Sequence, residues 1–119
     1  MNLELAHRAV ACKHWRWMPG MLVIAKGYSS LRLVPFVWRG WPIQEADPIV
    51  LQSDCLPDLD DPATLGCLLA LVREAWGDQR VNTLPTTDGG WAVADGDDDW
   101  ICTGTTEAAA LVAALEAAP

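Results

Sequence analysis

Hydrophobic positions recur at helical spacing in three stretches of the chain. The first covers about residues 3–13 and begins behind Asn2, which can cap free backbone N–H groups, with Glu4 in the first turn where the helix dipole favours an acid. Its apolar positions are Leu3, Ala6, Val10 and Ala11. The pattern therefore predicts a short amino-terminal helix.

The clearest helical pattern begins after Asp61, a residue suited to capping, and Pro62, which fits the first helical position because its missing N–H is not needed there. Gly77 marks its end. The apolar positions in between are Leu65, Leu68, Leu69, Val72 and Trp76. We expect this segment to be the main core helix, with that stripe buried against a sheet.

A third helix is predicted to begin at Thr105-Thr106-Glu107 and to continue to Ala118. Its many alanines have high helix propensity, and its larger apolar residues are Leu111, Val112 and Leu115.

Apolar and β-branched runs predict the strands. Met21–Ala25 and Leu31–Val37 have the pattern of a hairpin around the five-residue loop Lys26–Ser30. Residues 39–48 are rich in turn signals and are predicted to form a loop, after which Ile49–Leu51 is a candidate for a brief strand.

Three further strands are predicted at Arg80–Leu84, Trp91–Ala94 and Trp100–Thr103, with the turn 95–99 between the last two. Connections this short favour antiparallel pairing. The predicted fold is a single α+β domain over residues 1–119, with a mostly antiparallel sheet of about five or six short strands and three helices packed on it.

Composition places the chain among folded proteins, because 51% of its residues are hydrophobic and 20% are charged. Pro, Gly or a charged residue interrupts each apolar stretch before it reaches the length of a membrane span, and the first residues lack the basic and apolar regions of an export signal. We therefore expect a cytoplasmic protein whose four cysteines are reduced.

The net charge of −8 is unevenly distributed along the chain. Residues 1–44 hold six bases and one acid, a net of +5, whereas residues 45–119 hold two bases and fifteen acids, a net of −13. The two halves should attract each other when folded. The acidic half is alternatively a surface for a basic partner.

Three segments resemble a group of small uncharacterised proteins of tailed phages and prophages. They are ACKHWRWMPGM at 11–21, LPDLDDPATLGCLLALVREAWG at 56–77 and TEAAALVAALEAAP at 106–119. The last is also similar to the closing helix of phage ABA sandwich domains. The resemblance implies a bacteriophage origin, action in the host cytoplasm, an accessory role, a sheet between helix layers and no assigned catalytic residues.

Tryptophan is abundant, with seven copies in 119 residues. We expect Trp76 to lie on the core stripe, and Trp91 and Trp100 to pair across neighbouring strands. The other four lie in or beside predicted loops, where core packing and an exposed contact patch are both open. The candidate protein-binding residues of that patch are Trp15, Arg16, Trp17, Trp38 and Trp41.

The segment 95–99 contains four acids in five residues: Asp95, Asp97, Asp98 and Asp99. We name these four as candidate contacts to a basic protein partner. The alternative is a solvated hairpin tip that only aids solubility, since the spacing lacks the closing Glu of an EF-hand calcium loop.

No motif predicts a catalytic residue, a cofactor or a metal. Cys12 and His14 are too close in sequence to face each other on a helix, and no Cys-x-x-Cys spacing for zinc occurs. The low isoelectric point, about 4.4, disfavours direct binding of nucleic acid.

These observations favour a non-catalytic protein-binding module. Its partner would be a host protein, plausibly a basic nucleic-acid-binding component of host defence that the acidic surface occupies in the manner of an anti-CRISPR inhibitor or a nucleic-acid mimic. The alternatives are a structural or regulatory phage protein that acts as a homo-oligomer, and a small zinc-binding protein or enzyme. An exposed carboxylate face favours the first, an apolar self-complementary patch the second, and a polar cleft that joins His7 or His14 to cysteines the third.

Overall fold

A computed structural model describes residues 3–25, 31–32, 37–38, 41–42 and 55–119 of the chain, and the side chains of 3–24 and 55–119. The described elements follow the predicted order of helix, strands, helix, strands and helix.

Three helices lie in the described part of the chain: α1 (Leu3–Ala11), α2 (Pro62–Trp76) and α3 (Glu107–Ala117). The predicted caps of α2 are confirmed, because the Asp61 carboxylate accepts the Thr64 backbone N–H at 2.9 Å and Gly77 ends the helix in the left-handed conformation with φ 65°. Helix α3 is capped by Thr106, whose hydroxyl accepts the Ala109 N–H at 3.1 Å.

The described strands are short. They are β1 (Leu22–Ala25), β2 (Leu31–Arg32), β3 (Val37–Trp38), β4 (Trp41–Pro42), β5 (Cys55–Pro57), β6 (Asn82–Pro85), β7 (Trp91–Ala94) and β8 (Trp100–Gly104). They form antiparallel sheets in the orders β2-β1-β5 and β6-β7-β8, and β3 pairs with β4.

The α+β class and the antiparallel pairing are confirmed, but the single sheet of five or six strands is wrong. Strand β1 has β2 and β5 as its neighbours, so its ladder does not continue into β6–β8. The segment predicted as a loop at 39–48 contains β4, since Trp41 pairs with Trp38. The loop Lys26–Ser30 and the candidate strand Ile49–Leu51 lie outside the described residues.

Helix α3 occupies the centre of the fold and packs on β6, β7 and β8 as well as on α1 and α2. Because its residues 108–115 are apolar on every side, this part of the helix is buried by both the sheet and the other helices. Its fully buried residues include Leu111, Val112 and Leu115.

Helix α2 packs mainly on α3, and this placement corrects the predicted stripe. Leu68 and Val72 are fully buried as expected, whereas Leu65 and Leu69 are only half-buried. The fully buried face is completed instead by Thr64 and Leu71. In α1, Leu5, Ala6 and Ala9 are buried, whereas Leu3 is exposed.

The oppositely charged halves meet in two ion pairs. Arg8 of α1 pairs with Glu116 of α3, and Arg16 pairs with Glu74 of α2 at 2.5 Å. The two halves therefore contact each other through oppositely charged side chains at these two exposed pairs.

Candidate functional site

The most acidic feature of the described surface is the turn between β7 and β8, residues 95–99, called the acidic tip below. Asp97, Asp98 and Asp99 are exposed, and none of them forms an ion pair with a described residue. The tip thus presents three uncompensated carboxylates to solvent.

Asp95 has a different role from the other acids of the tip, which corrects the expectation that all four are exposed contacts. It is half-buried, and its carboxylate accepts the backbone N–H groups of Asp97 at 2.8 Å and Asp99 at 3.1 Å. Asp98 adopts the left-handed conformation with φ 63°, which Asp and Asn tolerate better than most residues. Asp95 therefore shapes the turn on which the other three carboxylates stand.

The tip is tied to the rest of the protein by Asp78, a residue that the sequence patterns did not single out. One carboxylate oxygen accepts the Arg80 N–H and the other accepts the Gly96 N–H, each at 2.9 Å. These two backbone donors hold the pKa of Asp78 below its ordinary value. The Arg80 side chain lies against the Gly96 backbone, so one cation sits beneath the tip.

Trp100 follows the acidic tip directly and is 57% exposed. The predicted pairing with Trp91 is wrong, because Trp91 lies opposite Gly104 and Trp100 lies opposite Ala94. A register shift between Val93 and Ala94 produces this arrangement. Because side chains alternate between the two faces of a sheet, a register shift of one residue moves a side chain to the other face. Trp100 is therefore turned away from the face that packs on α3.

An open cleft of about 480 Å³ lies alongside β8 and is called the aromatic cleft below. It is lined by residues 86–91, Trp100 and residues 103–105. Trp91 is half-buried beside the core, and its indole N–H, like that of Trp100, donates to no described group. The Trp100 indole, threonine hydroxyls and one carboxylate, Asp88, therefore border the same space, whereas the Trp91 ring lies on the side of the sheet that packs on α3.

Asp88 is held in place by its own turn. The Thr86 hydroxyl donates to its carboxylate, and the Gly90 N–H donates to it at 3.2 Å. These donors, the hydroxyl first, lower the pKa of Asp88, so the group is ionised at neutral pH.

A close approach between strand and helix fixes the end of the aromatic cleft that lies beside the 86–90 turn. A Cβ atom at Gly104 would lie 2.6 Å from the Ala110 backbone nitrogen. Only glycine fits there without moving β8 away from α3.

The candidate residues Trp15 and Trp17 are half-buried against the core and meet edge to face, with ring centroids 5.4 Å apart. Arg16 is exposed and paired with Glu74. Trp38 and Trp41 lie opposite each other in the β3–β4 pair, and their side chains are outside the described set. Of the predicted patch, the described tryptophans are thus packing residues.

The histidine and cysteine groups do not converge in the described part of the chain. The Cys12 thiol lies 3.5 Å from the Leu115 carbonyl oxygen, and His14 Nε2 lies 3.3 Å from the Ala118 carbonyl oxygen, so each contacts α3 or its end separately. Among the described residues, no three His, Cys, Asp or Glu side chains are grouped as metal ligands would be. Burial raises the pKa of Cys102, which keeps it a thiol at neutral pH.

None of the helices in the described part of the chain has the length and apolar character that a membrane crossing requires. Comparison of the chain with protein families, with curated proteins and with solved structures gave no match.

Two features of this region escaped sequence reasoning. The run Thr86-Thr87-Asp88-Gly89-Gly90 between two strands is a turn signal that could have located one wall of the cleft. Asp78 gave no such signal, because its partner Gly96 is eighteen residues away in the sequence.

Proposed function

We propose that the protein is a non-catalytic protein-binding module that presents the acidic tip and Trp100 to a basic surface of a partner protein. The observation that carries the proposal is the juxtaposition of three exposed, unpaired carboxylates with an exposed indole on one rigid hairpin. Interfaces commonly combine an aromatic anchor with a charged rim that steers the approach of the partner.

The order of the tip supports a binding role, because the backbone that carries the carboxylates does not need to be ordered when the partner arrives. Asp95 and Asp78 hold three backbone N–H groups of the tip, and a fourth, from Arg80, holds Asp78. A preorganised surface loses less conformational entropy on association than a flexible one.

The partner we propose is a nucleic-acid-binding protein of a bacterial host, such as a component of its defence machinery. A surface that binds phosphates is basic, and the carboxylates of the tip would occupy it in place of nucleic acid. The resemblance of three segments to accessory proteins of tailed phages motivates this choice of host and role.

The test begins with affinity capture from a bacterial lysate and continues with stopped-flow association of the captured protein over a salt series. Replacing Asp97 and Asp98 with Asn removes two charges and leaves the hydrogen bonds of the turn intact, because neither carboxylate accepts one of them. We expect this variant to associate several-fold more slowly at low salt and with a flatter salt dependence.

Glu4→Gln is the matched control, since it removes an exposed carboxylate from α1. The decrease in association rate per charge removed should be much smaller for Glu4→Gln than for the tip variant. Equal association rates for the tip variant and the parent at low salt would show that the tip only aids solubility.

A further inference from the structure

The aromatic cleft has the dimensions and position of a binding site for an extended chain segment. Its volume of about 480 Å³ lies within the range of ligand sites in proteins. It lies over the outer face of β7 and β8, between Trp100 and the 86–90 turn. A segment lying in the cleft would therefore cross this face of the two strands.

A carboxylate lines one end of the cleft, and the acidic tip adjoins the other end. Asp88 lines the end near the 86–90 turn, and Asp99 precedes Trp100 at the other end. No lysine or arginine is among the described lining residues. The two ends are three residue steps apart along β7, which corresponds to about 10 Å.

Both carboxylates retain capacity for further donors. Asp88 accepts two hydrogen bonds from its turn, whereas an ionised carboxylate offers about four acceptor sites. The Asp99 side chain is exposed. An indole face next to a carboxylate is the surface on which a guanidinium or ammonium group binds well, because the ring and the acid both attract the cation.

We propose that the aromatic cleft binds an extended segment of the partner protein that carries two basic side chains, one on the indole of Trp100 and one at Asp88. This inference rests on the proposed function and names the part of the partner that is recognised. Charge complementarity favours this occupant over a neutral sugar, because sugar hydroxyls can donate hydrogen bonds to the carboxylates but leave their negative charge uncompensated. It also disfavours nucleic acid, whose phosphates they would repel.

The test uses a defined probe, a blocked pentapeptide in which arginine alternates with alanine, titrated into the 15N-labelled protein. The readouts are the backbone amides and the indole N–H signals of the seven tryptophans, assigned with single Trp→Phe variants. We expect saturable shifts of the Trp100 indole signal and of the amides of 88–90. A peptide with citrulline for arginine should leave these signals unchanged.

Trp100→Ala should weaken peptide binding roughly tenfold or more through loss of the cation–π contact. Because Trp100 is 57% exposed, the variant should keep the amide spectrum of the parent outside the cleft. Leu3→Ala, which truncates a side chain that is 55% exposed on α1, is the matched control and should bind like the parent.

The outcomes separate this inference from the proposed function. Shifts confined to the amides of 97–99 would overturn the cleft inference and leave the tip as the binding surface. Equal binding of the citrulline peptide would overturn the role of the cations, and equally tight binding of spermidine would overturn the peptide as occupant. Alternatively, the peptide shifts the cleft signals while the Asp97 and Asp98 variant associates with the captured partner as fast as the parent. That combination would instead overturn the proposed role of the tip.

Discussion

Replacing Thr64 with valine should destabilise the protein although the two side chains have nearly the same shape. Thr64 is fully buried at the start of α2. Its hydroxyl donates to the Asp61 carboxylate and accepts the Leu22 backbone N–H, both at 2.9 Å. The hydroxyl therefore connects the cap of α2 to the first residue of β1.

The expected loss follows from these two hydrogen bonds. The bond to Asp61 contributes about 1 kcal/mol net, and loss of the other bond leaves the partly buried Leu22 N–H without an acceptor, which costs about 1–3 kcal/mol. A buried methyl group in place of the hydroxyl offsets about 0.8 kcal/mol. The free energy of unfolding should fall by about 1–3 kcal/mol, since the apolar contacts of the residue are kept.

Urea denaturation measures this change. At a slope of about 1.5 kcal/mol per molar urea, a loss of 2 kcal/mol lowers the unfolding midpoint by about 1.3 M. A double-mutant cycle with Asp61→Ala should give a coupling energy of at least about 0.5 kcal/mol, because the two residues share a hydrogen bond. Hydrogen exchange at the Leu22 amide should accelerate. If the free energy of unfolding of Thr64→Val is within about 0.5 kcal/mol of the parent value and the Leu22 amide stays protected from exchange, the connection through the Thr64 hydroxyl does not stabilise the protein.

Two further predictions concern the core and the acid response. Leu68→Ala should lower the free energy of unfolding by about 2–5 kcal/mol and Leu69→Ala by about 1 kcal/mol, because only Leu68 is fully buried; similar losses in urea melts would contradict the assigned face of α2. The pKa of the Asp78 carboxyl is lower in the folded protein than in the unfolded chain, so its contribution to stability is complete above the unfolded-state pKa and is lost as the pH falls through the lowered pKa. The free energy of unfolding, measured between pH 6 and pH 2, should accordingly fall less steeply with decreasing pH for Asp78→Asn than for the parent. Parallel falls would refute the role of Asp78.

Local chemistry explains what the sequence could predict. Asp61, Pro62 and Gly77 act on backbone groups next to them in the chain, and the bounds of α2 match the prediction at both ends. The same holds for β7, which runs from Trp91 to Ala94 as predicted.

The buried face of α2 could not be predicted, because the segment 68–72 is apolar on every side. Which of its residues is fully buried depends on the position of α3, a helix more than thirty residues away. Periodicity alone favoured Leu65 and Leu69, whereas the fold fully buries Leu71 and Thr64.

The candidate site depended on a feature with even less sequence signal. The irregularity beside Val93 and Ala94 sets which face Trp100 occupies. Without this irregularity, the regular alternation of side chains along β8 would place Trp100 on the side of the sheet that packs on α3. No exposed indole would then lie next to the acidic tip.

The contact of Gly104 with α3 has a consequence for sequence divergence. Backbone touches backbone there, so no rearrangement of side chains can make room for a larger residue. The exposed threonines at 87 and 103 carry no such restriction. In distant relatives that keep this architecture, a glycine just before the last helix should persist after most of the cleft has changed, and it offers a marker by which such chains can be aligned.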